Sequence, residues 1–377
     1  MSGRAGRLTA LLAAAALGLT ACGESPAPAA GEWAAMEPTG SLELEYAEQF
    51  TADYYEGGLS LVTIAGQDRF LVVPEGGHVP TGLEPDIAVL LQPLDSIYLA
   101  ATSAMDLFRA IDGLDSLRLS GTRASGWYIP EAVEAMEAGD LLYAGKYNAP
   151  DYELILSEHC DLAVESTMIY HDPAVKEQLE RLGVPVLVER SSYESHPLGR
   201  MEWVKLYGLL LGREDEAAAC FARETDRLET VLGGEPTGKT VAFFYITSNG
   251  TANVRRPGDY VARIIELAGG EYIFHDLPSP DNALSTLNMQ MEDFYVGARE
   301  ADCLIYNSAI DGELQTLDQL FGKSSLLRDF RAVQEGNVWC TGKNLFQESM
   351  GLAGLMEDIH GVLTGQTDEL NYLHRLT

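Results

Sequence analysis

From Leu59 onward the chain alternates short β-rich runs with helical stretches, and this rhythm stops once and then resumes. LSLVTIAG (59–66) and DRFLVVPEG (68–76) predict a hairpin that turns near Gly66. SIYLAAT (96–102) leads into a helix over 103–111, and DSLRLSG (115–121) precedes a helix over 130–138, where Pro130 suits the first turn. LLYAG, DLAVEST and VPVLVER follow, separated by helices near 151–157 and 172–182. Strand, helix, strand in this order predicts a parallel sheet covered by helices. After Arg190 the pattern changes. Residues 198–211 read as an apolar helix, interrupted at Gly212, and 214–232 as a second helix. Ala217, Cys220, Phe221, Leu228 and Val231 share one face of it, and Glu214, Asp215 and Glu216 complement its dipole. At about 1.5 Å per residue it would span about 28 Å. The βα alternation then resumes with TVAFFYI (240–246), helices near 259–268 and 291–299, DCLIYN (302–307), GNVWCTG (336–342) and a last helix over 349–363. The expected fold class is α/β, two lobes joined by a single long interlobe helix.

The chain has 377 residues, of which 57 are acidic and 25 basic, giving a formal charge of −32. Its length suits two domains with separate cores. Ordinary hydrophobic content, 46%, excludes wholesale disorder. The acid excess, with no basic stripe, excludes nucleic acid as a partner.

Arg4 and Arg7 precede an apolar run from Leu8 to Leu19 that is too short to span a bilayer, which takes about 20 residues. Leu19-Thr20-Ala21-Cys22 resembles the lipobox of bacterial lipoproteins, which implies lipidation of Cys22 and attachment to the extracytoplasmic face of the cell membrane. The small, polar, proline-bearing segment beyond Cys22 has linker composition. The expected boundaries are a signal peptide at 1–21, a lipidated linker at 22–54, an N-terminal lobe at 55–212, the interlobe helix at 213–234 and a C-terminal lobe at 235–377.

Cys160, Cys220, Cys303 and Cys340 have no zinc-like spacing, and Cys303 and Cys340 fit buried thiols better than a disulfide. Gly233-Gly-Glu-Pro-Thr-Gly-Lys-Thr240 matches a phosphate loop formally, but a helix precedes it and a strand follows, the reverse of what phosphate binding needs. Asn249-Gly250-Thr251 marks a turn after a strand, where binding loops lie. Seven scattered histidines show no ligand spacing, so neither a metal nor a resident cofactor is expected. No GxSxG and no ordered Ser–His–Asp set points to an enzyme, although an extracytoplasmic hydrolase is the alternative from another class.

Open α/β sheets bind ligands beyond the C-terminal ends of their strands. The aromatic and cationic residues there are Trp127, Tyr128, Tyr170, Arg190, Tyr193, Arg200, Tyr245, Arg255, Arg256 and Tyr306. Their arginines suit an anionic chelate or a carboxylate, which guanidinium groups engage bidentately.

Three segments, GKYNAPDYELILSEHCDLAVEST (145–167), SSYESHPLGRMEWVKLYGLLLG (191–212) and MQMEDFYVGAREADCLIYN (289–307), are similar to the ABC-transporter substrate-binding proteins for ferric siderophores, haem or cobalamin. The resemblance covers about residues 55 to 365. It implies two Rossmann-like lobes with the ligand between them, most simply a ferric siderophore-type chelate, with cobalamin and haem as alternatives. It also implies a monomer delivering its ligand to a permease dimer with its ATPase, through one surface glutamate on each lobe. Glu153 and Glu292, each opening a helix ahead of a strand, occupy those positions.

Overall fold

A computed structural model of the chain describes residues 31–278 and 286–377. The signal region, Cys22 and the start of the linker lie outside the described residues. Among the described residues no helix is long and apolar enough to cross a membrane.

Three main sheets build the molecule. The first orders β1 (Gly40–Ser41), β2 (Phe50–Tyr55), β3 (Leu59–Ile64), β4 (Asp68–Val73) and β5 (Ile87–Leu91) consecutively, antiparallel until β5 joins β4 in parallel. The hairpin expected at 59–76 is β3–β4, and its turn places Ala65 and Gly66 at positive φ, as a tight hairpin requires. The second sheet contains β6 (Ile97–Leu99), β7 (Leu117–Ser120) and β8 (Leu142–Tyr143); a two-stranded ribbon of β9 (Gly145–Lys146) and β10 (Ala149–Pro150) follows β8. With β11 (Leu162–Ser166) and β12 (Val186–Glu189) it is wholly parallel, in the order β12-β11-β6-β7-β8. Leu162 and Val164 of β11 enter the main core with Leu107 and Phe108, while Ala163 faces Ile155 and Leu179. Helices therefore cover both faces, as parallel strands demand.

The third sheet holds β13 (Thr240–Ile246), β14 (Ala252–Arg255), β15 (Glu271–Tyr272), β16 (Thr286–Met289), β17 (Cys303–Tyr306), β18 (Val338–Thr341) and β19 (Leu373–Arg375). Its order is β16-β14-β13-β17-β18-β19, with β15 also on β13; β13, β17 and β18 are parallel, and β14, β16 and β19 run antiparallel to their neighbours. One continuous core runs from Phe50 through Leu198–Val231 to Leu376, so the lobes share an interior through the segment that joins them.

That joining segment differs from the single helix expected over 213–234. It is a run of short helices, Pro197–Glu202, Val204–Leu211, Glu214–Arg227 and Glu229–Leu232. Gly212 turns the chain at φ +67°, and Gly208 packs so closely on Ala217 that the two flanking helices form a hairpin. The 214–232 stretch breaks at Leu228. Just before it, the Thr225 hydroxyl donates to the carbonyls of Phe221 and Ala222, and the Leu228 amide falls back to the Thr225 carbonyl three residues behind.

The expected linker at 22–54 is also corrected. Its described part is folded: Trp33 is buried against Tyr55, and β1 and most of β2 lie inside it. Between them Leu42, Leu44 and Tyr46 pack inward while Glu43 and Glu45 point out, so 42–49 is an extended strap. The strap is fastened to the connector by two buried carboxylates. Glu202 accepts the amides of Glu45 (2.9 Å), Tyr46 (2.8 Å) and Ala47 (2.9 Å) and the Lys205 Nζ (2.7 Å). Glu194 accepts the amides of Glu48 (2.8 Å) and Gln49 (2.9 Å) and the Trp203 Nε1 (2.8 Å). Gly199 is needed where the strap crosses, since a Cβ there would lie 2.8 Å from the Tyr46 carbonyl oxygen.

A carboxamide at 202 cannot accept with both terminal atoms, so buried amides would be left without partners. Glu202→Gln should cost about 2–4 kcal/mol in denaturant unfolding. Hydrogen exchange should become faster at residues 45–47, and unchanged exchange there would refute the fastening.

Candidate functional site

Parallel strands deliver their C-terminal ends to one edge of a sheet. In the second sheet that edge carries a cavity of about 420 Å³, lined from the ends of β6, β7, β8 and β11 and from the β9 ribbon. Its floor is bare: the register places Ala100 beside Gly121, where a Cβ would come within 2.9 Å of the Ala100 Cα. Its walls are the rings of Tyr143 and Tyr147, and the hydroxyls of Thr102, Thr122, Ser125 and Ser166 surround it. Two cations line it, Arg123 and Lys146. The Arg123 guanidinium lies 4.0 Å over the Tyr143 ring. Among the described residues neither cation has a carboxylate within ion-pair distance, whereas Arg69, Arg109, Arg118 and Arg227 are all paired. No carboxylate lines the cavity. Two cations without a carboxylate partner among the described residues, with stacking surfaces and hydroxyls, make a wall whose chemistry suits an anion.

The other lobe closes on this edge. Gln347, beyond the end of β18, accepts the Tyr128 amide (2.7 Å) and donates to the Gly126 carbonyl (2.8 Å), so one side chain clips the loop that lines the cavity. Nearby, the Ser349 hydroxyl donates to the Ser103 carbonyl (2.6 Å) and the Met350 amide to Asp106 (2.8 Å). These contacts join segments that follow strand C-termini in both sheets, which places the two sets of strand ends face to face.

The residues expected to bind ligand fall in different places. Trp127 is buried, with its Nε1 on the Ser120 hydroxyl (3.3 Å), and Tyr306 is buried, with its hydroxyl on Asp311 (3.2 Å); both are core. Arg255 and Arg256 do not reach the edge, because β14 runs back along β13, pairing Val254 with Phe244. There Arg255 contacts Asp259 (3.3 Å), and Arg256 donates to the carbonyls of Thr286 (3.3 Å) and Pro278. Arg200 is buried between connector and C-terminal lobe, 3.8 Å over the Tyr260 ring. Arg190 holds Gln49 of the strap (3.1 Å) and stacks 4.7 Å from the Tyr193 ring centre. Tyr245 is half-buried in the β13–β14 hairpin. Tyr128 and Tyr170 stand exposed beyond β7 and β11. Arg123, Tyr143, Lys146 and Tyr147 escaped the sequence reading. Their signal was a cation two residues after DSLRLSG, and aromatics flanking a lysine in YAGKY.

Glu153 and Glu292 are exposed in the first turns of the helices Tyr152–Ser157 and Met291–Ala298. Asp151, which caps the first helix, bonds through its amide to Ala144 just beyond β8. Met289 pairs with Ala252, which pairs with Ile246 at the end of β13. Both glutamates thus stand on the rim that carries the strand C-termini. Among the described residues no group of three His, Cys, Asp or Glu side chains could hold a metal ion. Cys303 and Cys340 are buried free thiols on adjacent strands, out of step because Tyr306 is the residue opposite Cys340.

No family model matches the chain. Two uncharacterized lipoproteins of Methanocaldococcus jannaschii are each 23% identical to it, one over 334 residues (81% of this chain, 77% of that protein) and one over 356 (88% and 86%). The solved periplasmic haem-binding protein HutB of Vibrio cholerae superposes with a TM-score of 0.57 at 17% identity, covering 70% of this chain and 98% of that one. The vitamin B12-binding protein BtuF of the same organism gives 0.53 at 17% (74% and 99%). A protein of an ABC-type Fe3+-hydroxamate transport system from Saccharomonospora viridis gives 0.55 at 20% (72% and 93%). The chain has the two-lobed α/β fold of these periplasmic binding proteins.

Beside the cavity floor lies a buried acid that has no hydrogen-bond partner among the described residues. Glu165 follows Val164 on β11, next to Ala100 in register, and neither of its oxygens is hydrogen-bonded. Burial alone pushes its carboxyl up to about 8. An unfolded glutamate titrates near about 4.3. Between those values the folded chain keeps a proton that the unfolded chain loses, so stability falls as pH rises and the cost is complete above about 8. Glu165→Gln should therefore be more stable than the parent at pH 9 by roughly 2–4 kcal/mol, with the gap closing towards pH 4. Parallel pH–stability curves for the two proteins would refute this.

Proposed function

We propose that this chain is the substrate-binding component of an ABC importer, held on the extracytoplasmic face by a lipid on Cys22. It captures an anionic ferric siderophore-type chelate between its lobes and hands it to a permease dimer driven by an ATPase. The supporting observation is the cavity wall of Arg123, Lys146, Tyr143 and Tyr147, two unpaired cations and two rings in a chain of charge −32. An overall negative field repels anions, so a local positive wall marks the place where an anionic ligand is held. The rings add stacking surface for an aromatic chelate, and the hydroxyls offer both donors and acceptors. Glu153 and Glu292 are the docking acids, one to each permease subunit. The role is binding, without turnover of the ligand.

Titration by intrinsic fluorescence separates the candidate ligands by charge. An anionic ferric catecholate should saturate one site, and Arg123→Ala or Lys146→Ala should weaken it roughly 10- to 100-fold. A neutral ferric hydroxamate or cyanocobalamin should respond little to either change, and haemin binding with the same sensitivity would move the assignment to haem. Wild-type affinity of both variants for every probe would remove the cavity from the site, and hydrolysis of a probe would favour the enzyme alternative.

Anchoring has its own test. A diacylated cysteine supplies the two chains that stable attachment needs. Cys22→Ser should leave the protein unprocessed or release it from membranes, and a mature, membrane-bound serine variant would refute lipidation at that residue.

A further inference from the structure

Glu165 and the cavity of Arg123 and Lys146 share one face of the second sheet. On β11, Leu162 and Val164 turn into the main core, so Ala163 and Glu165 turn to the opposite face. Parallel strands in register keep neighbouring side chains on one face, which sets Ala163 beside Tyr98 and Glu165 beside Ala100. Ala100 lines the cavity, as does Ser166, the residue after Glu165. Neighbouring strands lie about 4.8 Å apart and successive Cα atoms about 3.8 Å, which brings the carboxyl within about 10 Å of an anion held in the cavity.

The surroundings do nothing to hold a charge there. Glu165 has no exposed surface and, among the described residues, no hydrogen bond to either oxygen. β12 sets Val188 beside it, the turn Thr167–His171 buries only Ile169, and the helix Pro173–Arg181 packs Leu179 on this face. Its titratable neighbours are tyrosines, Tyr98 on β6 and Tyr152 at the start of the helix Tyr152–Ser157. Burial and, after it, a charge on Glu165 push both hydroxyls up, and Arg181 opposes that rise at Tyr152. On the cavity side stand Arg123, Lys146 and Tyr143. A carboxylate without donors is strongly disfavoured in such an interior, so at neutral pH the folded chain keeps Glu165 protonated.

We infer, on the importer reading above, that capture of an anionic chelate is coupled to the proton on Glu165: the neutral carboxyl admits an anion to the cavity, and the ionised one repels it. The coupling is reciprocal, since a bound anion makes the carboxyl harder to ionise. One unit of charge at about 10 Å, in an interior that screens it weakly, changes affinity for an anion roughly tenfold. The direction with pH follows from burial, which pushes the carboxyl up to about 8. Below that pH the free and loaded proteins both hold the proton, and affinity is level. Above it the free protein has lost the proton, binding takes it back up, and affinity falls.

The test titrates the purified full chain with a ferric catecholate between pH 7 and pH 9 by fluorescence, with circular dichroism reporting that the protein is folded at each pH. Calorimetry at pH 8.5, in two buffers of different ionisation heat, counts the protons taken up. The parent should bind roughly five- to tenfold more weakly at pH 9 than at pH 7, and take up about half a proton or more per chelate at pH 8.5. Glu165→Gln keeps a neutral group at every pH, so its affinity should be level across the range and its proton uptake nil. An equal fall with pH in parent and variant would overturn the coupling, and so would capture by the parent without proton uptake. Either result, with Arg123→Ala still weakening the chelate at pH 7, would leave the cavity and the importer reading standing. Chelate binding indifferent to Arg123→Ala would overturn the coupling and the cavity assignment together.

Discussion

Glu202 has no exposed surface, and its two oxygens take the amides of residues 45–47 and the ammonium of Lys205. A carboxylate can be kept in an interior only when its lone pairs are filled and its charge is met, so acid, amides and lysine hold one another in place. Glu194 repeats the device a few residues earlier with Glu48, Gln49 and Trp203. The acids belong to the connector and the amides to the strap that leads back towards Cys22. Because the connector's first two helices, Pro197–Glu202 and Val204–Leu211, are buried almost all round in the shared core, both lobes pack against them. The strap is thereby fastened to the connector and not to either lobe alone.

The acid excess is more than surface charge. Asp358 accepts the amides of Asn371, Tyr372 and Leu373 and so starts β19. Glu189 accepts from the Ser103 hydroxyl and the Ser191 amide where two strands of the second sheet end. Asp259 caps its helix through the Val261 amide while contacting Arg255. In each case a carboxylate satisfies backbone donors at the point where an element begins or a loop turns, which a helix or strand cannot do for itself. Glu165 is the exception. Its neighbours in register are Val188 and Ala100, whose side chains bring no donor with them.

Features decided by neighbouring residues were legible in the sequence. The β3–β4 hairpin follows from alternating β-branched runs around Gly66, and the parallel pairing of the second sheet and of β13, β17 and β18 in the third follows from strand–helix order. Features decided by distant pairing were not. Arg255 sits at the end of a strand, as expected, but β14 returns antiparallel, so its end points away from the edge that matters. Trp127 follows β7 as a binding residue would, yet its indole turns inward to the Ser120 hydroxyl. The strap at 42–49 shows a clear two-residue alternation, but it follows a proline- and alanine-rich stretch whose composition dominates a window average. At the break before Leu228 the Thr225 hydroxyl bonds the carbonyls of Phe221 and Ala222, a detail that hydrophobic periodicity does not register.

The lobes are tied twice, through the buried connector and again through Gln347, Ser349 and Met350. A wide hinge opening would strip several short hydrogen bonds at once and expose part of a continuous core, so large excursions are costly and small ones are the accessible motion. The second tie also grips the stretch 126–128, and Gly126 itself lines the cavity that holds Arg123. A ligand that pulls Arg123 towards it therefore pulls on a loop whose other side belongs to the opposite lobe. The loop that carries Arg123 on one lobe and the position of the other lobe are thus joined through the Gln347 side chain. Glu153 and Glu292 are carried on helices packed against those same sheets, so a small lobe displacement changes the spacing between the two carboxylates without any large closure.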